Sequence, residues 1–460
     1  MSSEYQAGLV KGGFYLFLDL LVTSIGGWIF WLIISRLTTP AEIGLATTAA
    51  SLVALLGGFF GLGLEFSLLK EVSLGRRSAF GTTLSFEMLI LILLSPILYF
   101  SGLSIYGPNF STYMLLGIGL LLISGLGFIT RYSALALLQS RRVMLYDMIG
   151  TTLRFATGVS LVLQGLGGIG ILSAGLIYSS VVATALLLLC YSKIGFVKGG
   201  FNELSHLLKI GISNLPSRIA SIIAGSLSIV LLAAFTSDPS AVGLFFIALA
   251  ISSVAAGLAS SLATMALPVS GAMKVDASVI SLRLGLAITA PLLAGMIAAP
   301  SFLLSLISPA YTQASESLRI LAPATLLLIV VTNVVTRLNH LHMLKQLTIL
   351  GLIQLSSFLL LFPLLIGTFQ AMGAPLAILI SSAAAATYSM KWLSRTSLRS
   401  LTIGLLIIGS GWIVNISTLT ANDSIVFTIT LAVATLIIFT SQELTPREAS
   451  HLLKLIVKGR

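Results

Sequence analysis

Residues 12–35 read GGFYLFLDLLVTSIGGWIFWLIIS, an apolar run that contains a single charged side chain, that of Asp19. A helix of about twenty such residues, rising roughly 1.5 Å per residue, crosses the hydrocarbon core of a bilayer. The run is too long for the core of a signal peptide, and no small-residue cleavage site follows it. It therefore predicts a first transmembrane helix that is retained in the protein.

Apolar runs of the same kind recur along the whole chain. Of all residues, 57% are hydrophobic and 8% are charged, whereas soluble domains carry about 25% charged residues. The runs are continuous and do not alternate with a period of two, which favours helices over a membrane barrel. We expect an all-α polytopic membrane protein with about fourteen transmembrane helices. The predicted spans lie near 12–35, 43–66, 81–103, 112–136, 145–166, 168–191, 208–235, 242–267, 279–299, 316–338, 344–367, 372–392, 398–418 and 424–441.

Basic residues are distributed unevenly between the two sets of loops. If the amino terminus lies inside the cell, only Arg36 and Arg319 of the 25 Lys and Arg residues fall in the outer loops. Cytoplasmic loops carry such an excess of basic residues, so we expect both termini to be cytoplasmic. The net charge of +11 is then a topology signal that favours anionic membrane lipid as a partner, and no nucleic acid is expected to bind.

The first helical pair has a counterpart later in the chain. A shift of 199 residues (239 − 40) places Pro40 on Pro239 and Gly44 on Gly243. Both pairs start on the inner side, so the repeat is parallel, and transporters with such repeats bind substrate between two lobes that alternate access. We predict an N-lobe (helices 1–6) at 1–194, a C-lobe (helices 7–12) at 195–396, helices 13 and 14 at 397–441, and a cytoplasmic tail at 442–460.

Four stretches of the chain resemble one family of transporters. They are KGGFYLFL at 11–18, FWLIISRL at 30–37, PAEIGL at 40–45 and ALLQSRR at 136–142. Together they are similar to the Wzx-like polysaccharide and oligosaccharidyl-lipid flippases of the MATE-like (MOP) exporter superfamily. The resemblance implies a two-lobe fold in the cell membrane. It also implies that the substrate is a polyprenol-linked oligosaccharide moved from the inner to the outer leaflet.

Ionisable residues at membrane depth cost on the order of 2.5–3.5 kcal/mol on insertion scales and are therefore candidates for function. Asp19 lies in the first helix, and the repeat places Arg218 at the matching position of helix seven (19 + 199 = 218). We predict that these two side chains line the substrate cavity and pair in one access state. Alternatively, each reaches the inner surface or bonds a neighbour within its own lobe. Pro216 removes a helical hydrogen bond and predicts a hinge beside Arg218, with a passive kink as the alternative.

Arg154 in helix five is the third candidate for the cavity. With Arg218 it is predicted to bind a lipid pyrophosphate, because a guanidinium group matches phosphate oxygens in two-pronged fashion. The alternative for Arg154 is a salt bridge with Asp147 on the same helix face. Glu87 in helix three and Asp19 are candidates for coupling a proton or ion. The alternative for Glu87 is a carboxyl that is bonded by a serine or by backbone. One cysteine and four scattered histidines predict no metal site, and no cofactor is expected.

Three functions compete for this sequence. The first is a flippase, without enzymatic activity, for polyprenol-(pyro)phosphate-linked oligosaccharide in cell-surface polysaccharide or glycan assembly, with glycosyltransferases or a polymerase of the same pathway as candidate partners. The second is a MATE-like cation-coupled multidrug exporter, which would favour acidic and aromatic residues in its cavity. The third is a membrane-embedded polyprenol-sugar glycosyltransferase or polymerase. That enzyme would need clustered carboxylates or histidines, usually on a long outer loop, and the outer loops here are short. The basic residues at membrane depth favour the flippase.

Overall fold

The structure, a computed structural model, describes residues 3–214, 222–273, 278–341, 343–417 and 423–441. Pro216, Arg218 and the predicted tail at 442–460 lie outside these ranges. The described residues form helices joined by short turns, with no β-strand among them. The helices are α1 (Ser3–Leu37), α2 (Pro40–Phe60), α3 (Leu64–Ser73), α4 (Ser78–Tyr106), α5 (Ser111–Ala136), α6 (Ser140–Leu161), α7 (Gly167–Ile194), α8 (Phe201–Asn214), α9 (Ser228–Thr236), α10 (Pro239–Met273), α11 (Ser278–Ala298), α12 (Pro300–Ser305), α13 (Ser315–His340), α14 (Leu344–Phe369), α15 (Gly373–Ser389), α16 (Arg395–Ser417) and α17 (Asp423–Thr440).

Ten stretches of the described chain are long and apolar enough to cross a membrane. Two of them, Ser140–Ile194 and Lys345–Trp392, are 55 and 48 residues long and each contains two of the helices. Two shorter apolar helices lie at Val22–Leu37 and Gly225–Thr236. The predicted all-α, multi-spanning fold is therefore confirmed. The count of fourteen helices and the side on which the termini lie remain predictions.

Apolar and polar side chains are distributed as a lipid environment requires. Large apolar side chains point outward, as at Phe100 and Leu360, which are 68% and 71% exposed. Small polar side chains such as Thr83 and Ser382 are fully buried between helices. Since lipid is as apolar as leucine, membrane helices associate through small and polar residues at their interfaces. The exposed apolar faces are thus suited to contact with acyl chains.

The second predicted span, near 43–66, is wrong at its carboxyl end. Leu62 and Gly63 adopt left-handed backbone conformations, with φ of 48° and 70°, so α2 ends at Phe60 and a new helix begins at Leu64. Glycine at 63 also permits a close approach, because a Cβ atom there would lie 2.3 Å from the carbonyl oxygen of Gly211 in α8. The apolar composition continues through the break, so composition alone did not reveal it.

The chain divides into two compact units, residues 1–246 and 247–460. In the first unit α8 packs on α3 and α4, and the Ser67 hydroxyl donates a buried hydrogen bond of 2.6 Å to the carbonyl oxygen of Leu207. These contacts account for the inclusion of α8 in the first unit. The lobe boundary at residue 194, which rests on the sequence repeat, remains a prediction.

In the second unit, α11 packs against α13, α16 and α17. The buried Asn333 side chain of α13 donates hydrogen bonds of 3.1 Å to the carbonyl oxygen of Ser278 and 2.9 Å to the hydroxyl of Ser281. The Asn415 amide of α16 donates a bond of 2.6 Å to the carbonyl oxygen of Ala298. Such bonds fix the register of neighbouring helices, because lipid supplies no hydrophobic driving force for their association.

The two aligned segments of the sequence repeat pack directly on each other. Helices α2 and α10 begin at the aligned prolines Pro40 and Pro239. A Cβ atom on Gly44 would lie 1.8 Å from the carbonyl oxygen of Pro239, and one on Gly243 would lie 1.9 Å from that of Pro40. Glycine is therefore required at both positions for this reciprocal contact between helix ends.

We expect the substitution Gly44→Ala to lower the melting temperature of the purified protein, with a loss of about 1–3 kcal/mol, as overpacking usually causes. Alanine otherwise favours a helix by about 1 kcal/mol relative to glycine, so a loss would report the backbone contact. Gly57→Ala in the same helix is the control, because its Cβ atom would lie 3.9 Å from Leu121 Cδ1, an ordinary contact. Equal melting of the two variants would contradict the prediction.

Candidate functional site

Four side chains from four helices form an ionic cluster inside the first unit. Arg131 of α5 binds Asp19 of α1 through Nη2 and Asp147 of α6 through Nη1, the latter at 2.7 Å. Tyr178 of α7 donates its hydroxyl to Asp147 Oδ1 at 2.9 Å. One guanidinium group therefore ties three helices together, and the tyrosine adds a fourth.

The carboxylates of the ionic cluster are far more buried than the cation. The Asp147 and Asp19 side chains are 0% and 4% exposed, whereas that of Arg131 is 31% exposed. Oδ1 of Asp19 is buried and has no hydrogen-bond partner within the part of the chain described. Buried carboxylates need paired charge and hydrogen bonds to offset the loss of water. The cluster supplies most of these bonds, and it holds two carboxyl groups for one guanidinium group.

Arg154 lies on α6 at seven residues, or about 10 Å of helix, beyond Asp147. Its guanidinium carbon stands 4.4 Å from the ring centroid of Phe30 and 6.0 Å from that of Trp31, both in α1. Within the described ranges no carboxylate lies at salt-bridge distance from it, and its Nε is buried without a hydrogen-bond partner. Arg154 is thus a partly buried cation that rests on an aromatic surface and offers unused donors.

Two small residues bring α1 and α6 close enough for this contact. A Cβ atom on Gly26 of α1 would lie 2.8 Å from Thr151 Cγ2, and one on Gly158 of α6 would lie 2.6 Å from Phe30 Cε2. The absence of side chains at these glycines allows the Phe30 ring to pack against α6. The aromatic support of Arg154 therefore depends on helix packing as well as on the arginine itself.

The site residues predicted from the sequence have different outcomes in the structure. Asp19 bonds Arg131 within its own unit, and its pairing with Arg218 stays a prediction because Arg218 lies outside the described residues. The alternative salt bridge between Arg154 and Asp147 is wrong, since Asp147 binds Arg131 and Tyr178 instead. Glu87 is buried in α4, faces Gly125 of α5, and is not among the groups that bind Arg131. The hinge at Pro216 also lies outside the described residues.

Sequence reasoning missed Arg131 and Tyr178. Arg131 lies close before the turn that joins α5 to α6, and Asp147 lies close after it. Two oppositely charged residues at matching distances from one helical turn lie at similar membrane depth, which predicts a pair. That comparison of depths across the turn is the signal that would have identified Arg131.

Solved structures with the same fold are transporters and flippases. The chain is similar to a structure described as lipid II flippase MurJ in an inward closed conformation, with a TM-score of 0.69, 16% identity, and 92% of this chain and 98% of that chain covered. Two multidrug resistance MATE family transporters of the MOP superfamily also match. The outward-facing one has a TM-score of 0.61, 15% identity and coverage of 88% and 96%. The inward-facing one has a TM-score of 0.59, 14% identity and coverage of 87% and 95%. At these identities the similarity shows the fold, which is that of a multi-pass membrane protein.

Sequence comparison supplies the family. No curated protein sequence matches the chain significantly. The family model described as polysaccharide biosynthesis protein matches residues 33–316, which is more than half of the chain. This match and the MurJ and MATE folds confirm the resemblance found in the sequence. The chain belongs to the polysaccharide biosynthesis protein family, and it has the fold of the MurJ and MATE structures.

Proposed function

We propose that the protein is a flippase that moves a polyprenol-(pyro)phosphate-linked oligosaccharide from the inner to the outer leaflet by alternating access. The observation that carries this proposal is Arg154, a cation at membrane depth that is supported by Phe30 and has no carboxylate partner in the described structure. An arginine in this environment is costly unless an anion joins it. A phosphate group has the charge and the geometry to do so.

The contrast with Arg131 sharpens this interpretation. Arg131 is bound by two carboxylates and has little capacity left for a substrate anion. No carboxylate of the described residues binds Arg154, so its guanidinium group is available to a substrate anion. An exporter of organic cations gains nothing from such a residue, because the substrate and the guanidinium group would repel each other.

The family and the fold support the same function. The family description links the chain to polysaccharide biosynthesis, and the structure titled lipid II flippase has the same fold over nearly all of its length. We place the protein in the cell membrane, with about fourteen crossings and cytoplasmic termini. Candidate partners are anionic lipid and the glycosyltransferases or polymerase of the same pathway.

The remaining candidates take secondary roles in this proposal. Arg218 joins Arg154 in binding the phosphate groups, and Pro216 beside it provides a hinge. Asp19 and Glu87 are the candidates for coupling a proton or ion. In the described part of the chain Asp19 already belongs to the ionic cluster, so release from Arg131 would accompany any coupling through it.

Reconstitution of the purified protein in vesicles tests the function. The vesicles contain a polyprenyl-pyrophosphate-linked sugar that carries a fluorescent group on the sugar, and an impermeant quencher is added outside. We expect label from the inner leaflet to become accessible with time, and to stay protected in protein-free vesicles. Protection in both preparations would contradict the proposal.

The alternatives have distinct outcomes in the same preparation. Ion-driven uptake of ethidium without movement of the lipid-linked sugar would identify a multidrug exporter. The observation that favours a multidrug exporter is the ionic cluster, which holds two carboxyl groups for one guanidinium group and could attract an organic cation. A new glycosidic product detected by mass spectrometry would identify an enzyme instead.

A further inference from the structure

A pocket of about 360 Å³ lies in the first unit, away from the ionic cluster. It is formed where α4 ends, α5 begins and the turn from α9 to α10 passes, all on the side predicted to be outer. Its volume falls near the lower end of the range of about 300–1,000 Å³ that is usual for small-molecule sites. The site proposed for the phosphate group does not use it.

One wall of the pocket is aromatic and rigid. Tyr106 and Phe110 meet edge to face at 5.0 Å, and Phe110 stacks on Tyr113 at 5.1 Å with an interplanar angle of 18°. The Tyr113 hydroxyl donates to Glu42 Oε2 at 2.8 Å, and that oxygen also accepts the Gly168 N–H at 2.7 Å. These bonds fix the aromatic wall and occupy the nearby carboxylate.

The lining also carries two polar groups that the protein does not use. The exposed Asn109 amide makes no hydrogen bond within the described ranges, and neither does the Ser237 hydroxyl. Ser237 holds a left-handed backbone conformation, with φ of 49°, which is uncommon for residues other than glycine. Pro239, two residues further along the chain and also in the lining, packs on Gly44 of α2, so the contact between the repeat segments positions the turn that carries Ser237.

The lining carries no Lys, Arg, Asp or Glu side chain. An anion would find no counter-charge in the lining. The two carboxylates beside it already accept hydrogen bonds from the protein, Glu42 from Tyr113 and Gly168, and Asp238 from the Ser240 N–H. A sugar ring has apolar faces that suit an aromatic wall and hydroxyl edges that suit an amide and a hydroxyl, because an amide both donates and accepts. A lipid chain would leave Asn109 and Ser237 without partners.

We infer that this outer aromatic pocket, formed by Tyr106, Phe110, Tyr113, Asn109 and Ser237, is a binding site for an uncharged sugar residue. The inference deepens the proposed function and rests on it for the source of the sugar, which is the head group of the lipid-linked oligosaccharide. Arg154 then recognises phosphate at depth, and the outer aromatic pocket recognises carbohydrate near the outer surface.

Saturation-transfer NMR on the full chain in lipid nanodiscs tests the site, with N-acetylglucosamine and glucose as neutral probes and glucose 1-phosphate as the charged one. We expect a neutral probe to bind, and Asn109→Ala and Tyr106→Leu each to weaken binding about three- to tenfold. Phe100→Leu is the matched control, since this ring lies on the same helix as Tyr106 and is 68% exposed. Ser237→Ala is a second test if Tyr106→Leu lowers the melting temperature.

Absence of binding by both neutral probes would overturn the inference, as would equal affinity in the wild type and both pocket variants. Tighter binding of glucose 1-phosphate that depends on Asn109 would overturn the assignment of an uncharged ligand. The nanodisc measurement requires no transport. Sugar binding without flipping in vesicles would therefore reject the proposed function alone, and flipping without sugar binding would reject the pocket alone.

Discussion

Replacing Arg131 by methionine should destabilise the protein by about 3 kcal/mol, the lower end of the cost of breaking a buried ion pair. The substitution leaves the Asp147 and Asp19 carboxylates, 0% and 4% exposed, without their cation. We take the lower end because the Arg131 side chain is 31% exposed and water partly screens its charge. Thermal unfolding and the yield of monodisperse protein in mild detergent measure the loss.

A neutral version of the ionic cluster should restore most of this stability. In the triple variant Asp19→Asn, Asp147→Asn and Arg131→Met, the ionic cluster keeps no charged group, and neutral replacements of buried ion groups are often tolerated. Arg142→Met is the control for loss of a positive charge, because Arg142 is exposed near the start of α6. If Arg131→Met melts like Arg142→Met, the ionic cluster does not stabilise the fold.

The helical fold could be predicted from the sequence because the bilayer imposes a length and a polarity on each span. Apolar runs of about twenty residues meet that requirement without tertiary information. The break at Leu62 and Gly63 could not be predicted this way, because the backbone there turns while the composition stays apolar. The glycine is explained only by the carbonyl oxygen of Gly211, which is distant in sequence.

The candidate site could be predicted in part. Asp19 and Arg154 were recognisable because charged residues are rare at membrane depth. Their partners depend on how each helix is rotated about its axis, and rotation follows from packing at residues such as Gly26 and Gly158. The apolar pattern of a single sequence does not fix that rotation, which is why Asp147 is a plausible alternative partner of Arg154 in the sequence although it binds Arg131 in the structure.

Replacing Arg154 by methionine should lower the flipping rate without lowering the melting temperature, whereas Arg131→Met should lower the melting temperature. We expect flipping of the lipid-linked sugar to fall at least about tenfold, since a charge-assisted hydrogen bond to phosphate contributes roughly 1.5–3 kcal/mol. The melting temperature should stay equal or rise, because methionine removes a cation that no carboxylate compensates in the described structure and fills similar space on Phe30. Arg154→Lys keeps the charge and loses the planar guanidinium group. Its flipping rate should therefore lie between those of the wild type and Arg154→Met.

The separation of rate from stability is what distinguishes phosphate binding from a structural role for Arg154. If Arg154 only supported packing on Phe30, its loss would lower the melting temperature and the amount of folded protein. Total flipping would then fall, while the flipping rate per folded molecule stayed unchanged. The exposed-site variant Arg142→Met should match the wild type in both measurements. A stable Arg154→Met protein that flips the substrate at the wild-type rate would show that Arg154 is not required for binding the phosphate groups. The phosphate groups would then have to be bound by residues other than Arg154 and the ionic cluster.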